Sequence, residues 1–262
     1  MQTIITPTDF SDVSLNAVNY AADMALALHT RLLILHATEI PASAGINYPE
    51  LSDNEIEKKL RTLKNDLIKR AEKRIVIQTK QVTGFIENEI ITMCDYQNPL
   101  AVVMATQGAN FREHFFVGSI TVYLSKNLKY PVIAVPKNVS YKTVNKILMA
   151  TDLENLYDLS IEKIVNVVKA FNATLDIVHV YKNEDKLVVM KARKSELARY
   201  LKDLAPRFHF IKSKNVYEAI TNFAQKNNSD LILAFPKKHA FFHKSESKQL
   251  IYNSPFAVMT IQ

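Results

Sequence analysis

The sequence predicts an α/β protein made of two tandem copies of one domain, in which helices alternate with the strands of a parallel sheet. Three observations predict this fold class. The chain contains an internal repeat with a constant spacing, and short apolar runs alternate with helical patterns along it. Its 262 residues also suit two domains of about 130 residues, each able to bury a core of its own.

The internal repeat appears as pairs of similar segments. The first two pairs are separated by the same 143 positions, and both segments of the first pair are short apolar strands that end in Thr-Asp. The matching pairs are residues 4–10 with 147–153, 33–37 with 176–180, 99–105 with 229–234, and 131–135 with 255–259. We therefore assign the first copy to residues 1–140 and the second, shorter copy to residues 141–262.

Hydrophobic periodicity gives the expected elements of the first copy. The predicted strands lie near residues 3–7, 32–37, 75–82, 101–105 and 132–135, and the predicted helices near 14–29, 52–73, 85–96 and 118–128. Ser52 followed by Glu55 is a candidate capping box at the start of the second helix. Alternation of this kind predicts a doubly wound, Rossmann-like parallel sheet, with ligands beyond the carboxyl ends of its strands.

The composition is that of an ordinary globular protein, with 48% apolar and 23% charged residues. A single cysteine allows no intramolecular disulfide, and we find neither a signal-peptide pattern nor an apolar run of membrane-spanning length, so we expect a cytoplasmic protein. Basic and acidic residues number 14 and 14 in residues 1–140, but 19 and 12 in residues 141–262. This charge predicts a solvated lysine-rich face or an acidic partner, and we expect neither nucleic acid nor a membrane as partner.

All four glycines of the chain lie in the first copy, at Gly45, Gly84, Gly108 and Gly118. A loop whose backbone wraps a phosphate needs a positive φ or a bare Cα beside the ligand. Gly108 and Gly118 flank the loop after the fourth strand, and Ser119 follows at a predicted helix start, where N–H groups and a hydroxyl form an anion site.

Asp9 ends the first predicted strand and so lies at the same edge of the sheet as this loop. Its carboxylate is suited to accept hydrogen bonds from ribose hydroxyls. The alternative interpretation assigns Gly108 to an ordinary turn and Ser119 to a helix cap. The residues by themselves leave both interpretations open.

These segments resemble the universal stress protein family, once in each copy. Residues 7–11 resemble the first strand of that family, and Gly84 resembles the glycine before its third helix. The most specific motif of the family is its nucleotide loop, which reads glycine, two residues, glycine, nine residues, glycine, and then Ser or Thr. Residues 105–119 keep this spacing through Gly108, Gly118 and Ser119, but Ala105 stands in place of the first glycine.

The resemblance implies a five-stranded parallel sheet in each copy and ATP, or another adenine nucleotide, bound by the first copy with Mg²⁺ or Mn²⁺ on its phosphates. The residues implied by position are Pro7, Thr8 and Asp9 for the adenosine, Ala37 for the adenine edge, Met104 and Ala105 beneath the ribose and phosphates, and Gly108, Gly118, Ser119, Ile120 and Thr121 for the phosphates. If the backbone at Ala105 needs a positive φ, the methyl group costs about 1 kcal/mol or more. If it needs only a close approach, the methyl group narrows the pocket.

The second copy departs from the family pattern. Lys237 and, after a gap, Lys244-Ser245 stand where the first copy has Gly108 and Gly118-Ser119. We therefore expect that the second copy does not bind nucleotide as the first does. Domains of the family pair through their last strands, which implies an internal pseudo-dimer through residues 132–135 and 257–261. A further homodimer and an unidentified protein partner remain open.

Other residue patterns have plainer interpretations. His36 and His179 occupy matching positions, so we interpret both as structural features of the repeat. His239 and His243 have the spacing of a helical metal site but lack further ligands, and we predict no metal site on the protein. We interpret Cys94, in an apolar helix, as an inert buried thiol.

No catalytic triad, nucleophile elbow or Walker loop is present in the sequence. We therefore predict a stress-response regulatory protein rather than an enzyme, in which nucleotide on the first copy changes the loop 105–118 and the partners of the protein. Two alternatives remain open. One is an interaction scaffold that binds no nucleotide, and the other is a slow ATPase in which Asp9 or a loop residue positions water.

Overall fold

The structure is a computed structural model that describes residues 1–38, 51–106, 119–153, 156–183, 187–236 and 244–262. The described strands are β1 (Thr3–Pro7), β2 (Arg31–Thr38), β3 (Val76–Thr83), β4 (Ala101–Ala105), β5 (Val132–Val135), β6 (Lys146–Ala150), β7 (Thr174–Tyr181), β8 (Arg207–Lys212), β9 (Leu231–Ala234) and β10 (Val258–Thr260). The described α-helices are α1 (Asp12–Ala27), α2 (Asp53–Arg70), α3 (Ile86–Gln97), α4 (Ser119–Asn127), α5 (Ile161–Phe171), α6 (Leu187–Tyr200), α7 (Val216–Lys226) and α8 (Lys244–Asn253). Short 3-10 turns cover Leu156–Asp158 and Lys202–Leu204.

All of these strands join one sheet, in the order β3-β2-β1-β4-β5-β10-β9-β6-β7-β8. Neighbouring strands are parallel within each copy, whereas β5 and β10 are antiparallel, with Ile133 opposite Met259. This topology confirms the predicted fold class, with five parallel strands in each copy, and the predicted pairing of the copies through their last strands. The boundary between residues 140 and 141 stays a prediction.

The helix starts follow local capping. α1 begins at Asp12, earlier than predicted, because the Ser11 side chain caps it and accepts a hydrogen bond from the Ser14 N–H at 3.3 Å. The capping box of α2 is confirmed: the Glu55 N–H donates to Ser52 Oγ at 3.4 Å, and the Ser52 N–H donates to Glu55 Oε2 at 2.8 Å.

Helices cover both faces of the sheet, because successive residues of a strand point to opposite faces. In β2, Ile34 belongs to the core that contains Leu60 of α2, whereas its neighbour Leu35 belongs to the core that contains Cys94 of α3 and Leu124 of α4. Cys94 is fully buried, as predicted, and burial raises the pKa of its thiol to about 12. With both faces covered, a small ligand is expected at the carboxyl ends of the strands, as in other parallel sheets of this kind.

The segment that connects the two copies packs on the first copy. Asn16 of α1 donates from Nδ2 to the carbonyl oxygens of Pro136 and Val139, at 3.1 and 3.0 Å. Farther along this segment, the Tyr141 ring meets the Tyr20 ring edge-to-face, with centroids 5.2 Å apart. The connecting segment is therefore anchored to α1 before the chain enters β6.

Polar contacts near the end of β10 tie the two copies together. Gln262 donates from Nε2 to the carbonyl of Ser125 in α4 at 2.6 Å and to that of Pro236 after β9 at 2.8 Å. Lys163 of α5 donates from Nζ to the carbonyl of Lys129, at 2.7 Å. The bonds to Ser125 and Lys129 cross from one copy to the other and supplement the antiparallel pairing of β5 with β10.

Candidate functional site

The turn after β1 fixes the position of Asp9. The Thr8 N–H donates to the Leu35 carbonyl in β2 at 2.8 Å, and the Thr8 hydroxyl accepts from the Phe10 N–H at 3.0 Å. Phe10 has a φ of 62°, which turns the chain sharply away from the strand direction. As a result, Asp9 is exposed at the carboxyl end of β1, next to the end of β4, with which β1 is hydrogen-bonded.

The Asp9 carboxylate is oriented by the residue that caps α1. Its Oδ1 accepts hydrogen bonds from the Ser11 N–H at 3.0 Å and from the Ser11 hydroxyl at 2.5 Å. The hydroxyl of Thr8 faces inward instead, where it bonds Ser14 Oγ at 3.0 Å. Of the two polar side chains predicted to line an adenosine, Asp9 is therefore directed to the surface and Thr8 stabilises the turn.

The end of β2 forms the second wall of this site. His36 Nδ1 lies 2.8 Å from the Thr8 carbonyl oxygen, and the His36 ring packs on the Phe10 ring with centroids 4.6 Å apart. Lys59 of α2 places its Nζ 5.2 Å from the centroid of the Phe10 ring. Ala37, predicted to meet the adenine edge, follows His36 and is half-buried.

The end of β4 and the start of α4 form the third wall. Ala105 is not among the described residues with a positive φ, so its methyl group causes no backbone strain. The Thr121 hydroxyl donates to the Ala105 carbonyl at 2.8 Å, which ties the first turn of α4 to the end of β4. Ser119 is exposed at the beginning of that helix.

The structure thus brings the predicted residues of β1, β2, β4 and α4 to one end of the sheet, but not all of their side chains face it. Met104 is 5% exposed and Thr121 is 3% exposed, and Ile120 packs against the core beneath α4. At Met104 and Thr121 mainly backbone groups remain for a ligand, because these side chains are buried. Gly108 and Gly118 lie outside the described residues, as does most of the loop between β4 and α4.

Sequence reasoning missed the stack of Lys59, Phe10 and His36. His36 was noted for its match with His179, and the structure shows that match as a shared hydrogen bond: His179 Nδ1 lies 3.0 Å from the Thr151 carbonyl oxygen. Lys59 gave no local signal, because its position depends on how α2 packs against the sheet. The constant spacing of the repeat was the signal that identified the pair of histidines.

The second copy repeats two hydrogen bonds that shape the turn of the first copy. The Thr151 N–H donates to the Val178 carbonyl at 3.1 Å, and the Leu153 N–H donates to the Thr151 hydroxyl at 3.2 Å. Leu153 has a φ of 57°, close to that of Phe10. The repeat that was read from the sequence is therefore also a repeat of backbone hydrogen bonds.

The two turns differ in the accessibility of their carboxylates. Asp9 is exposed, whereas Asp152 is half-buried and its Oδ2 is fully buried. Arg193 of α6 reaches this turn and donates from Nη1 to the Leu153 carbonyl at 2.9 Å. The aspartate that is exposed in the first copy is thus half-buried in the second, with one of its carboxylate oxygens inaccessible.

Neither metal ligands nor membrane spans are found in the part of the chain that the structure describes. Within the described ranges, no group of three or more His, Cys, Asp or Glu residues is placed to hold a metal ion. No described helix is long and apolar enough to cross a membrane. His239 and His243, the histidine pair considered above, lie outside the described residues, as does Lys237.

Comparison with known proteins agrees with the topology. Residues 1–136 match the universal stress protein family. The chain is also similar to a universal stress protein of Methanocaldococcus jannaschii, at 27% identity over 139 residues, which cover 51% of this chain and 81% of that protein.

Solved structures extend the likeness to the whole chain. A universal stress protein from Archaeoglobus fulgidus aligns with a TM-score of 0.72 and 20% identity, covering 99% of this chain and 98% of its own. A universal stress protein solved in complex with cAMP aligns over 51% of this chain and 96% of its own, with 23% identity and a TM-score of 0.39. The first of these likenesses shows that the two-copy fold occurs in another protein.

Proposed function

Because the chain belongs to the universal stress protein family, we propose that its first copy binds ATP or a related adenine nucleotide, and that the bound nucleotide regulates the contacts of the protein with its partners. The second copy then acts as a pairing scaffold that binds no nucleotide in the corresponding place. The stress or pathway that the protein serves is not part of the proposal.

One observation carries this proposal: the same turn presents an accessible carboxylate in the first copy and a covered one in the second. Asp9 is exposed, whereas Asp152 is half-buried beside Arg193. A carboxylate can accept hydrogen bonds from the two ribose hydroxyls only where solvent, and therefore a ligand, reaches it. The difference favours nucleotide binding at Asp9 and argues against it at Asp152.

The phosphates would lie at the start of α4. This position follows from the order of strands, because β1 and β4 are neighbours and a ligand on Asp9 extends toward the end of β4. The exposed Ser119 supplies a hydroxyl there, and the first N–H groups of α4 favour negative charge. Participation of Gly108 and Gly118 stays a prediction from their spacing.

A divalent cation would enter this site on the nucleotide. The described residues contain no cluster able to hold such an ion by themselves, so the phosphate oxygens would supply most of its ligands. Mg²⁺ suits this arrangement because it keeps several of its waters and needs few protein ligands. The ion would neutralise part of the phosphate charge next to Ser119.

We propose regulation rather than hydrolysis. Oδ1 of Asp9, the carboxylate nearest to the expected ribose, already accepts two hydrogen bonds from Ser11. Such an oxygen is held for recognition and is poorly placed to take a proton from water. A rate of phosphate release that exceeds that of the Asp9→Asn variant would favour the slow ATPase instead.

Thermal unfolding with and without Mg-ATP tests the proposal. A ligand at 100 times its dissociation constant adds about 2.7 kcal/mol of stability, which corresponds to a rise of about 5–10 °C in Tm. We expect this rise in the wild-type protein and its loss in Asp9→Asn. The asparagine still accepts the hydrogen bond from Ser11 through its Oδ1, so the turn itself is retained.

Asp152→Asn is the matched control, since it makes the same substitution in the repeated turn of the second copy. We expect its Tm to rise with Mg-ATP as in the wild type. A rise that persists in Asp9→Asn, or that disappears in Asp152→Asn, would contradict the proposal. No rise in the wild type at millimolar Mg-ATP would favour the interaction scaffold.

A further inference from the structure

The strand β8 forms one outer edge of the sheet. It pairs in parallel with β7, from Arg207 opposite Asp176 to Lys212 opposite Tyr181, and no other described strand lies beside it. Outer strands carry backbone groups that can pair with another chain. β8 is therefore a place where the sheet of the second copy can accept an additional strand.

The direction of the β8 backbone groups follows from its pairing with β7. The Ser213 N–H, just after the strand, donates to the Tyr181 carbonyl at 3.0 Å. Alternate residues of a strand direct their N–H and C=O groups to opposite sides, so those of Phe208 and Phe210 are directed to the open side. An incoming extended chain would bond to these two residues first.

The side chains of β8 differ from those of β3, the strand at the other outer edge of the sheet. The four central residues of β8 are Phe208, His209, Phe210 and Ile211, and all four are half-buried. The corresponding part of β3, residues 79–82, reads Thr-Lys-Gln-Val. Polar and charged residues are a common protection of edge strands, and β3 has this protection along its middle whereas β8 does not.

Positive charge surrounds the apolar middle of β8. Arg207 begins the strand with 59% of its side chain exposed, and Lys212 ends it in an exposed position. Lys194 of α6 lies over the Phe208 ring, with its Nζ 5.5 Å from the ring centroid. Arg207 donates from Nε and Nη2 to the buried carboxylate of Asp176, so the positive charge at the outer rim comes mainly from Lys194 and Lys212.

We infer that β8 is a docking strand for an extended, acidic segment of a partner protein, which adds to the sheet beside Phe208 and Phe210. Acidic side chains at both ends of that segment would meet Lys194, over Phe208, and Lys212, and apolar ones between them would cover the aromatic middle. The excess of positive charge in the second copy would then attract the acidic segment to this edge of the sheet.

A second copy of this chain is a poorer occupant of the same edge. Two β8 strands related by a two-fold axis pair in antiparallel fashion, and the register centred on Phe210 places Lys212 of one copy opposite Phe208 of the other, over whose ring Lys194 lies. Like charges brought together across a strand pair destabilise it. The charges of β8 therefore disfavour self-association and favour an acidic partner.

Fluorescence anisotropy with a designed peptide tests this inference. The probe is a capped, fluorescein-labelled hexapeptide with glutamate at both ends and alternating valine and threonine between them. We expect saturable binding to the full chain, and binding that is weakened about fivefold or more by Lys212→Glu. Lys80→Glu is the matched control, because it reverses an exposed lysine on β3, and it should leave the affinity within about twofold.

Two further probes separate backbone pairing from charge alone. A peptide with proline in place of each threonine keeps its charge but loses N–H groups, and it should not bind. Hydrogen exchange of the segment 207–212 should slow when the glutamate peptide is present, while exchange of residues 76–83 should not change.

Several results would overturn the inference. Equal losses of affinity in Lys212→Glu and Lys80→Glu would place the peptide elsewhere, and so would unchanged exchange at residues 207–212. Binding of labelled oligothymidylate but not of the peptide would make the surface a nucleic-acid site. Concentration-dependent dimerisation that increases in Lys212→Glu would identify β8 as a self-pairing edge.

Discussion

A buried carboxylate in the second copy gives the sharpest stability prediction. Asp176 in β7 is 2% exposed and accepts three hydrogen bonds, from Arg207 Nε and Nη2 at 2.8 Å each and from His209 Nε2 at 3.1 Å. In the first copy, Leu33 occupies the position that matches Asp176. On the neighbouring strand, Leu33 lies opposite Gln78, whereas Asp176 lies opposite Arg207. The two copies thus fill the same place with an ion pair in one case and an uncharged pair in the other.

Loss of Arg207 and loss of Asp176 should lower the free energy of unfolding by different amounts. Arg207→Ala leaves a buried carboxylate with one remaining partner, His209, and we expect a loss of about 3 kcal/mol in the free energy of unfolding. Asp176→Asn leaves the guanidinium of Arg207, which is 59% exposed and remains hydrated. The expected loss is then about 1–2 kcal/mol, the value of the weakened hydrogen bonds.

Replacing both partners together should recover most of the stability that the single substitutions remove. The double variant Asp176→Leu with Arg207→Gln reproduces the Leu33 and Gln78 pair of the first copy, and it buries no charge. Replacement of a buried ion pair by a well-packed uncharged pair is often neutral or stabilising. We expect the double variant to unfold within about 1 kcal/mol of the wild type.

Urea unfolding followed by far-UV circular dichroism measures these differences, with the slope of each transition compared between variants. Leu33→Asp is the reciprocal control, because it places a carboxylate at the matching position without its arginine, and we expect it to destabilise the first copy. The reasoning is refuted if Asp176→Asn costs as much as Arg207→Ala, or if the double variant is as unstable as Arg207→Ala.

Three smaller predictions follow from single residues. Because Cys94 is buried and its pKa is raised to about 12, a disulfide reagent at pH 8 should react with it slowly in the native protein and fully in urea. Burial raises the pKa of Tyr141 from 10.0 to about 12, so the folded protein keeps a proton that the unfolded chain releases near pH 10. Stability should therefore fall as the pH rises from 10 toward 12, and less steeply in Tyr141→Phe, as measured by urea unfolding at each pH. Ala205 is exposed with a φ of 44°, so Ala205→Gly should raise the free energy of unfolding by about 0.5 kcal/mol in the same assay.

The fold was predictable from the sequence because the same pattern of strands and helices occurs in both halves of the chain. A strand that ends in Thr-Asp and a second strand that contains His recur at one spacing, and the structure repeats their hydrogen bonds at Thr8 and Thr151. A local pattern that appears twice at a constant distance is strong evidence for one supersecondary unit. The pairing of β5 with β10 came instead from the family resemblance, since nothing local in either strand specifies its partner.

The candidate site was predictable in position but not in orientation. The carboxyl ends of adjacent parallel strands must lie together, so the proximity of Asp9 to Ala105 follows from topology. The inward direction of Thr121 does not, because it depends on a hydrogen bond to the Ala105 carbonyl across 16 residues. The bond from Arg193 to the Leu153 carbonyl was equally hidden, since Arg193 reaches that turn only through the packing of α6.

Some features lie beyond any pattern that a single sequence shows. Asp176 looks like an unfavourable residue within an apolar strand until Arg207 and His209 are placed beside it on β8. The exposed edge of β8 likewise depends on the order of strands in the sheet, which composition does not reveal. Such long-range arrangements are where sequence reasoning stops.

The number of nucleotides bound by each chain tests the central claim most directly. Equilibrium dialysis of the wild-type protein against radiolabelled ATP with Mg²⁺, at protein concentrations above the dissociation constant, gives this number without any substitution. We predict one nucleotide per chain, because Asp9 is accessible and Asp152 is covered. A value of two would show that the second copy binds as well, and a value of zero would show that the first copy does not bind.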